Sequence, residues 1–130
     1  MSLNDPLAQA LSAINNAENA GKTECIVRPI SKTIKTVLKI FKDKDYIEDF
    51  KEISSARGGI IKVILQGKIT KCSVIKPRYP VKYSNLEKFE KRYLLGKDIG
   101  LIIISTSKGM IIHGEAKDKK LGGKLIAYIY

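Results

Sequence analysis

Short apolar runs rich in β-branched residues constrain the fold of this chain more than any other feature. Three of them read GIIKVIL, GLIII and KLIAYIY, and a glycine opens or precedes each run. Runs of about four to eight such residues are typical of buried strands. All are far shorter than the roughly 20 residues of a membrane-spanning helix. The sequence therefore predicts short strands and a soluble intracellular protein, and the N-terminus lacks the pattern of a secretory signal.

Two N-terminal segments repeat apolar residues with helical spacing instead. Asn4 or Asp5 can cap a first helix, which Pro6 opens and Gly21 ends. Ser31 is predicted to cap a second helix, whose apolar residues recur at i, i+3, i+4 and i+7. The strands ECIVR, YIEDFKEI and GIIKVILQG lie between and after these helices, so the N-terminal half has the order α-β-α-β-β.

The C-terminal half is predicted to be rich in strands. The segment KITKCSVIKP is interpreted as a strand, and PRYP as an extended linker. Ser84 and Glu87 have the spacing of a capping box for a helix that Gly96 ends.

These elements predict an α+β protein with two small packed lobes. The first lobe covers residues 1–66. The second covers residues 67–130 and combines strands with short helices, ending on the strand KLIAYIY.

Cysteine and histidine are too few for a metal site. A zinc site uses about four such ligands, whereas Cys25 and Cys72 lie far apart and His113 is the sole histidine. We expect two free, buried thiols, with neither a metal nor another cofactor.

Charge is distributed unevenly along the chain. Residues 1–66 contain 10 basic and 8 acidic residues, whereas residues 67–130 contain 14 basic and 5 acidic residues. The net charge of +9 in the second half favours a polyanionic partner. Nucleic acid fits better than an anionic membrane, because the basic residues are not collected on one amphipathic helix.

The segment STSKG follows the most apolar strand and holds the candidate binding residues. In order they are Ser105, Thr106, Ser107, Lys108 and Gly109. Hydroxyls bond to base edges, ribose and phosphate, glycine permits a tight turn, and Lys108 with Lys124 can contact phosphates. In A-form RNA such reading requires irregular helices or unpaired bases, because the major groove is narrow. The segment therefore predicts an RNA-binding loop.

Three other interpretations of this segment were weighed. An esterase would use Ser105 or Ser107 with His113 as base, but no GxSxG surrounds either serine. A nucleotide-binding loop would need the order GxxxxGK[ST], which is absent. In the third, Ser107 merely caps a turn. We expect no catalytic residue.

At this point the sequence resembles a known family. The motifs STSKGM, EAK, LGGK and the C-terminal AYIY are similar to the C-terminal signature of the universal small-subunit ribosomal protein eight family. DPLAQALSAINNAENAGK and RPISKTI resemble the starts of its first and second helices. GKITKCSVIKPRYPV and NLEKFEKRYL resemble the archaeal and eukaryotic branch, and AYIY points to archaea. The resemblance extends over essentially the whole chain.

Two departures from the family pattern are Ile112, where the family usually has Ser, Thr or Asp, and Gly114, where it has a residue that favours a helix. Because Ile112 cannot cap and Gly114 disfavours a helix, the short helix with Glu115 and Ala116 is expected here to start late or fray.

The resemblance implies a structural protein of the small ribosomal subunit that binds the central domain of its RNA early in assembly. It implies RNA contacts from residues 105–109, from the Gly122–Gly123 turn, and from Ser31 and Lys32 in the first lobe. It also implies neighbouring ribosomal proteins as partners, a cytoplasmic ribosomal location and a monomer when unbound. An alternative is a free translational repressor that binds its own messenger RNA.

Overall fold

A computed structural model of the chain describes residues 6–28, 31–55, 58–76, 78–94 and 99–130. The proposed cap residues Asn4 and Asp5, and Gly96 at the end of the third helix, lie outside these ranges. Contacts divide the chain into two compact units, Met1–Cys72 and Ser73–Tyr130, whereas the sequence predicts the boundary after residue 66. Both units combine helices with antiparallel strands, which confirms the α+β class.

Four helices, eight strands and one 3₁₀ turn make up the described chain. In order they are α1 Pro6–Asn19, β1 Glu24–Val27, α2 Lys32–Asp43, β2 Ile47–Ser55, β3 Gly58–Leu65, β4 Cys72–Val74, β5 Pro80–Val81, the 3₁₀ turn Tyr83–Asn85, α3 Leu86–Tyr93, β6 Leu101–Thr106, β7 Gly109–Ile112, α4 His113–Lys119 and β8 Gly123–Ile129.

The first unit has the predicted α-β-α-β-β order. Its sheet has the strand order β1-β3-β2, with α1 packed on β1 and α2 on β2. Gly21, at φ +74, ends α1 as expected, and the N–H of Lys22 donates to Ala17 in the same turn. The Ser31 hydroxyl caps α2 by accepting the Ile34 N–H at 3.1 Å. Local signals therefore predicted both helices correctly.

Both cysteines are free and buried, as predicted. The Cys72 thiol lies 3.4 Å from the Leu11 carbonyl. Burial raises the pKa of the Cys72 thiol to about 12, with a further contribution from the nearby Glu18 carboxylate. The Cys72 thiol is therefore protonated at neutral pH and packs as a small apolar side chain.

The strand predicted over KITKCSVIKP is much shorter in the structure. Only Cys72–Val74 forms β4. Before it, the Ile69 N–H donates to the Glu18 carboxylate at 3.1 Å, and the Cys72 N–H donates to the Asn15 side chain at 3.2 Å. Side chains of α1 thus take hydrogen bonds that a longer strand would have made.

The second unit is built on a five-stranded sheet. Its main path is β4-β8-β6-β7, and β5 pairs with β8. Every residue of Leu101–Ile104 is buried, and so is every residue from Leu125 to Ile129. These two central strands are therefore covered on both faces, which agrees with the continuous apolar runs in the sequence.

The capping box predicted at Ser84 is wrong. Residues Tyr83–Asn85 form a 3₁₀ turn, and α3 begins at Leu86 with Asn85 in the capping position and no side-chain cap. Leu86 is completely buried. The tighter turn lets this side chain enter the core at the first helical position, so burial rather than capping decides where α3 begins.

The late start predicted for the last helix is also wrong. α4 begins at His113, directly after Ile112, and Ile112 makes no side-chain cap. His113 is 8 % exposed and Ala116 is completely buried. Tertiary packing of the first turn therefore replaces the missing cap.

Candidate nucleic-acid interface

The hydroxyl segment lies at the tip of the β6–β7 hairpin. Thr106 pairs with Gly109, and Ser107 with Lys108 forms the turn between them. Gly109 has φ +109, a backbone conformation in which a side chain would be strained. No strand was predicted over Gly109–Ile112, which forms β7. The loop is therefore only the two-residue turn of Ser107 and Lys108.

The three hydroxyl residues have different environments. The Thr106 hydroxyl donates to the Gly109 carbonyl at 2.8 Å and accepts the Lys108 N–H at 3.1 Å. It therefore closes the turn. Ser105 is half-buried within β6, whereas Ser107 is exposed at the tip. Of the three, Ser107 presents its hydroxyl most openly.

The glycine segment lies directly beside this hairpin. Ser105 pairs with Lys124 across β6 and β8. A Cβ at Gly123 would overlap the backbone carbonyl of Ser105, and one at Gly122 would lie 2.6 Å from the carbonyl oxygen of Val81. Both positions therefore require glycine for close backbone packing. Residues 105–109 and 122–124 lie together at the same end of strands β6 and β8.

The two remaining candidates belong to the first unit. Ser31 caps α2, so its hydroxyl has a structural partner. Lys32 is the first residue of α2 and is exposed. An exposed ammonium at this position is free to meet a phosphate, while the Ser31 hydroxyl keeps one acceptor site.

His113 has a structural environment that differs from that of a catalytic base. Its Nδ1 accepts the N–H of Ile102 at 3.1 Å, so we assign the ring proton to Nε2. Nε2 lies 3.5 Å from the buried Glu90 carboxylate, which also pairs with Lys117. Both ring nitrogens are thus engaged, which weakens the esterase interpretation.

The cluster of Glu90, His113 and Lys117 was not predicted from the sequence. Glu90 and His113 are buried in it, and the Lys117 side chain is 35 % exposed. The helical spacing carried one signal, because Glu90 lies four residues after Leu86 on the apolar face of α3. A charge on such a face indicates a buried partner. Among the described residues, no group of three or more histidine, cysteine or acidic side chains could hold a metal ion.

Comparison with protein-family models identifies the family of this chain. The family model described as ribosomal protein S8 matches residues 5–130. The chain belongs to the ribosomal protein S8 family. Members of the S8 family are ribosomal RNA-binding proteins of the small subunit, so this S8 chain is a ribosome-associated protein of translation. The family resemblance drawn from the sequence motifs is thereby confirmed, and the archaeal branch stays a prediction.

The membership also bears on the other functional expectations. The S8 family is a structural, RNA-binding family rather than a family of enzymes. Its members contact both ribosomal RNA and other proteins of the small subunit. In the described part of this S8 chain, no helix has the length and apolarity needed to cross a bilayer.

Proposed function

We propose that this S8 protein is a primary binder of the central domain of small-subunit ribosomal RNA. One observation carries the proposal: the pairing of Ser105 with Lys124 sets the hydroxyl turn and the glycine segment side by side. Serine hydroxyls, the backbone of the glycine turn and lysine ammonium groups therefore lie on one surface, where a single RNA can contact all of them. That combination suits an irregular RNA helix, where base edges and phosphates are both within reach.

The residues of this surface have different roles in the proposal. Ser107 and Ser105 bond to base edges or ribose, and Lys108 with Lys124 contacts phosphates. Gly109 keeps the backbone of the turn accessible, and Thr106 holds the turn in a fixed shape. Gly122 and Gly123 allow the close backbone packing that places Lys124 beside the turn. Ser31 and Lys32 supply a separate contact from the first unit. We assign the second unit as the main RNA-binding part, in a protein that is monomeric and cytoplasmic off the ribosome.

Removing the Ser107 hydroxyl tests the proposal. Ser107→Ala should lower affinity for a central-domain RNA fragment by about 1–3 kcal/mol, the cost of an unsatisfied group in an interface. Melting should hardly change, because the hydroxyl is exposed and the turn is closed by Thr106. Filter binding and a chemical footprint of the RNA, together with a melting curve, provide the measurements.

Ser12→Ala is the matched control, because Ser12 is an exposed serine on α1. It should leave RNA affinity unchanged. If Ser107→Ala lowered the melting temperature while the folded fraction bound the RNA normally, Ser107 would be a structural residue. If the footprint fell outside the central domain, the proposed RNA target would be wrong.

The alternative is a free translational repressor that binds its own messenger RNA. Such an RNA would have to imitate the ribosomal site, since the same hydroxyl turn would read it. Gradient fractionation of a crosslinked lysate separates the two roles. We expect the protein with the small subunit, and finding it only in the light fractions with messenger RNA would favour the repressor.

A further inference from the structure

Arg92 rests on two tyrosine rings in the second unit. Its guanidinium carbon lies 5.6 Å from the ring centroid of Tyr79 and 5.4 Å from that of Tyr93. Both distances are within the range of cation–π attraction. Arg92 itself is exposed, so its guanidinium group is held in place while remaining accessible to a ligand.

The tyrosines beneath Arg92 are part of a continuous aromatic layer. Tyr79 lies 5.9 Å from Phe89, and Tyr93 lies 5.3 Å from Tyr128, measured between ring centroids. Tyr79, Phe89 and Tyr93 are partly buried against the core of the second unit. We refer to Arg92 together with Tyr79 and Tyr93 as the platform. The platform is rigid because its tyrosines are packed, so Arg92 has already lost part of the rotamer freedom that binding would otherwise remove.

The segment that contains this platform is rich in basic residues, and the two acidic residues of α3 have other partners. Six exposed basic residues lie between positions 76 and 92: Lys76, Arg78, Lys82, Lys88, Lys91 and Arg92. Glu87 lies 4.0 Å from Lys91, and Glu90 is buried with Lys117 and His113. Within the described chain, no carboxylate pairs with Arg92. The exposed surface is thus strongly basic and favours an anionic ligand.

The platform adjoins the hydroxyl and glycine surface through β5. Pro80 pairs with Lys124, and the Leu125 N–H donates to the Tyr79 carbonyl at 3.0 Å. The backbone of Tyr79 is therefore hydrogen-bonded to the residue that follows Lys124. In an RNA bound at Ser107 and Lys124, unpaired nucleotides that adjoin the bound segment would lie close to the platform.

We propose that Arg92, supported by Tyr79 and Tyr93, is a second RNA-binding site that stacks an unpaired base. Unpaired bases stack on aromatic rings and on guanidinium planes, and the guanidinium edge can hold the adjoining phosphate in a bidentate manner. This inference rests on the proposed RNA-binding function. It adds a contact for a single-stranded or bulged nucleotide, beyond the irregular helix met by the hydroxyl turn.

Two substitutions at Arg92 distinguish a stacking contact with a base from a purely electrostatic contact with a phosphate. Arg92→Gln should lower affinity for a small-subunit RNA fragment about ten-fold, the loss expected for one strong charge-assisted contact. Arg92→Lys keeps the charge but lacks the planar group, so it should lose nearly as much affinity with an unchanged salt dependence. If Arg92→Lys binds like the wild type, only charge is involved and the stacking site is excluded. Ultraviolet crosslinking should also join an unpaired nucleotide to the peptide containing Tyr79 or Tyr93.

Lys39→Gln is the matched control, since Lys39 is an exposed basic residue on α2. It should leave affinity nearly unchanged, and Arg92→Gln having no greater effect than Lys39→Gln would overturn the inference. Ser107→Ala measured in parallel distinguishes the two proposals. Weakening by Ser107→Ala alone would reject the Arg92 site while the proposed function stands. If neither Ser107→Ala nor Arg92→Gln weakened binding, both proposals would be rejected.

Discussion

Gly123 is required by a contact rather than by its own backbone conformation. A Cβ at this position would meet the Ser105 carbonyl oxygen and carbon, which belong to the backbone and cannot rotate away. β6 and β8 are thereby allowed to approach closely beside the hydroxyl turn. Gly123 therefore matters for the RNA-binding surface as well as for the fold, because the close approach of the strands fixes the position of Ser105.

Gly123→Ala should therefore destabilise the protein by about 1–3 kcal/mol, as overpacking does. RNA affinity should also fall, because relief of the clash displaces the β6–β7 hairpin. Denaturant unfolding and RNA binding check both effects. Gly114→Ala is the control: nothing lies within 4 Å of its added Cβ, and it should stabilise α4 by up to about 1 kcal/mol. Similar stability changes for the two variants would contradict the contact argument.

At the scale of elements, one buried carboxylate ties α3 to α4. Glu90 on α3 is 4 % exposed and meets His113 and Lys117, both on α4. His113 in turn accepts the N–H of Ile102 on β6. These contacts connect two helices with the strand that carries the hydroxyl turn, and they explain how α4 begins without a side-chain cap.

Glu90→Ala should destabilise the protein by about 1–3 kcal/mol, because the buried Nε2–H of His113 loses its acceptor and Lys117, whose side chain is 35 % exposed, loses its carboxylate partner. Glu87→Ala is the matched variant on the same helix, where the carboxylate is exposed and lies 4.0 Å from Lys91. Its cost should be below about 1 kcal/mol, as for other surface ion pairs. Chemical denaturation compares the two variants, and equal losses would show that the Glu90 cluster contributes no more to stability than a surface ion pair.

At the scale of the whole molecule, charge distinguishes the two halves. Residues 67–130 have net charge +9 and residues 1–66 have +2. In the first unit, some of the basic residues already have carboxylate partners, as Lys35 has Glu52 and Lys42 has Asp49. The electrostatic attraction of RNA should therefore act mainly on the second half.

Neutralising Lys108 and Lys124 together should weaken RNA binding more than neutralising Lys39 and Lys44, which are exposed residues of the first unit. The log–log slope of affinity against salt should fall by about 0.7–0.9 for each lost phosphate contact. Titrations at several salt concentrations measure both quantities. Equal losses for the two pairs would mean that the charge asymmetry does not direct binding.

Sequence by itself determined the elements whose signals are local. Gly21 ends α1 and Ser31 begins α2 because turn geometry and capping involve neighbours in the chain. The buried strand at Leu101–Ile104 follows from its continuous apolar run. The motif STSKG and the family membership were likewise readable from the order of residues alone.

Tertiary structure decided the features that depend on distant partners. α3 begins where Leu86 can be buried, and contacts of His113 with Ile102 and Glu90 replace a side-chain cap. Tertiary structure also placed Lys124 beside Ser105, although the two residues are far apart in the chain. Burial of a side chain such as Leu86 contributes about 1.5–3 kcal/mol, whereas a side-chain cap contributes about 1 kcal/mol, so the local signal yields where the two compete.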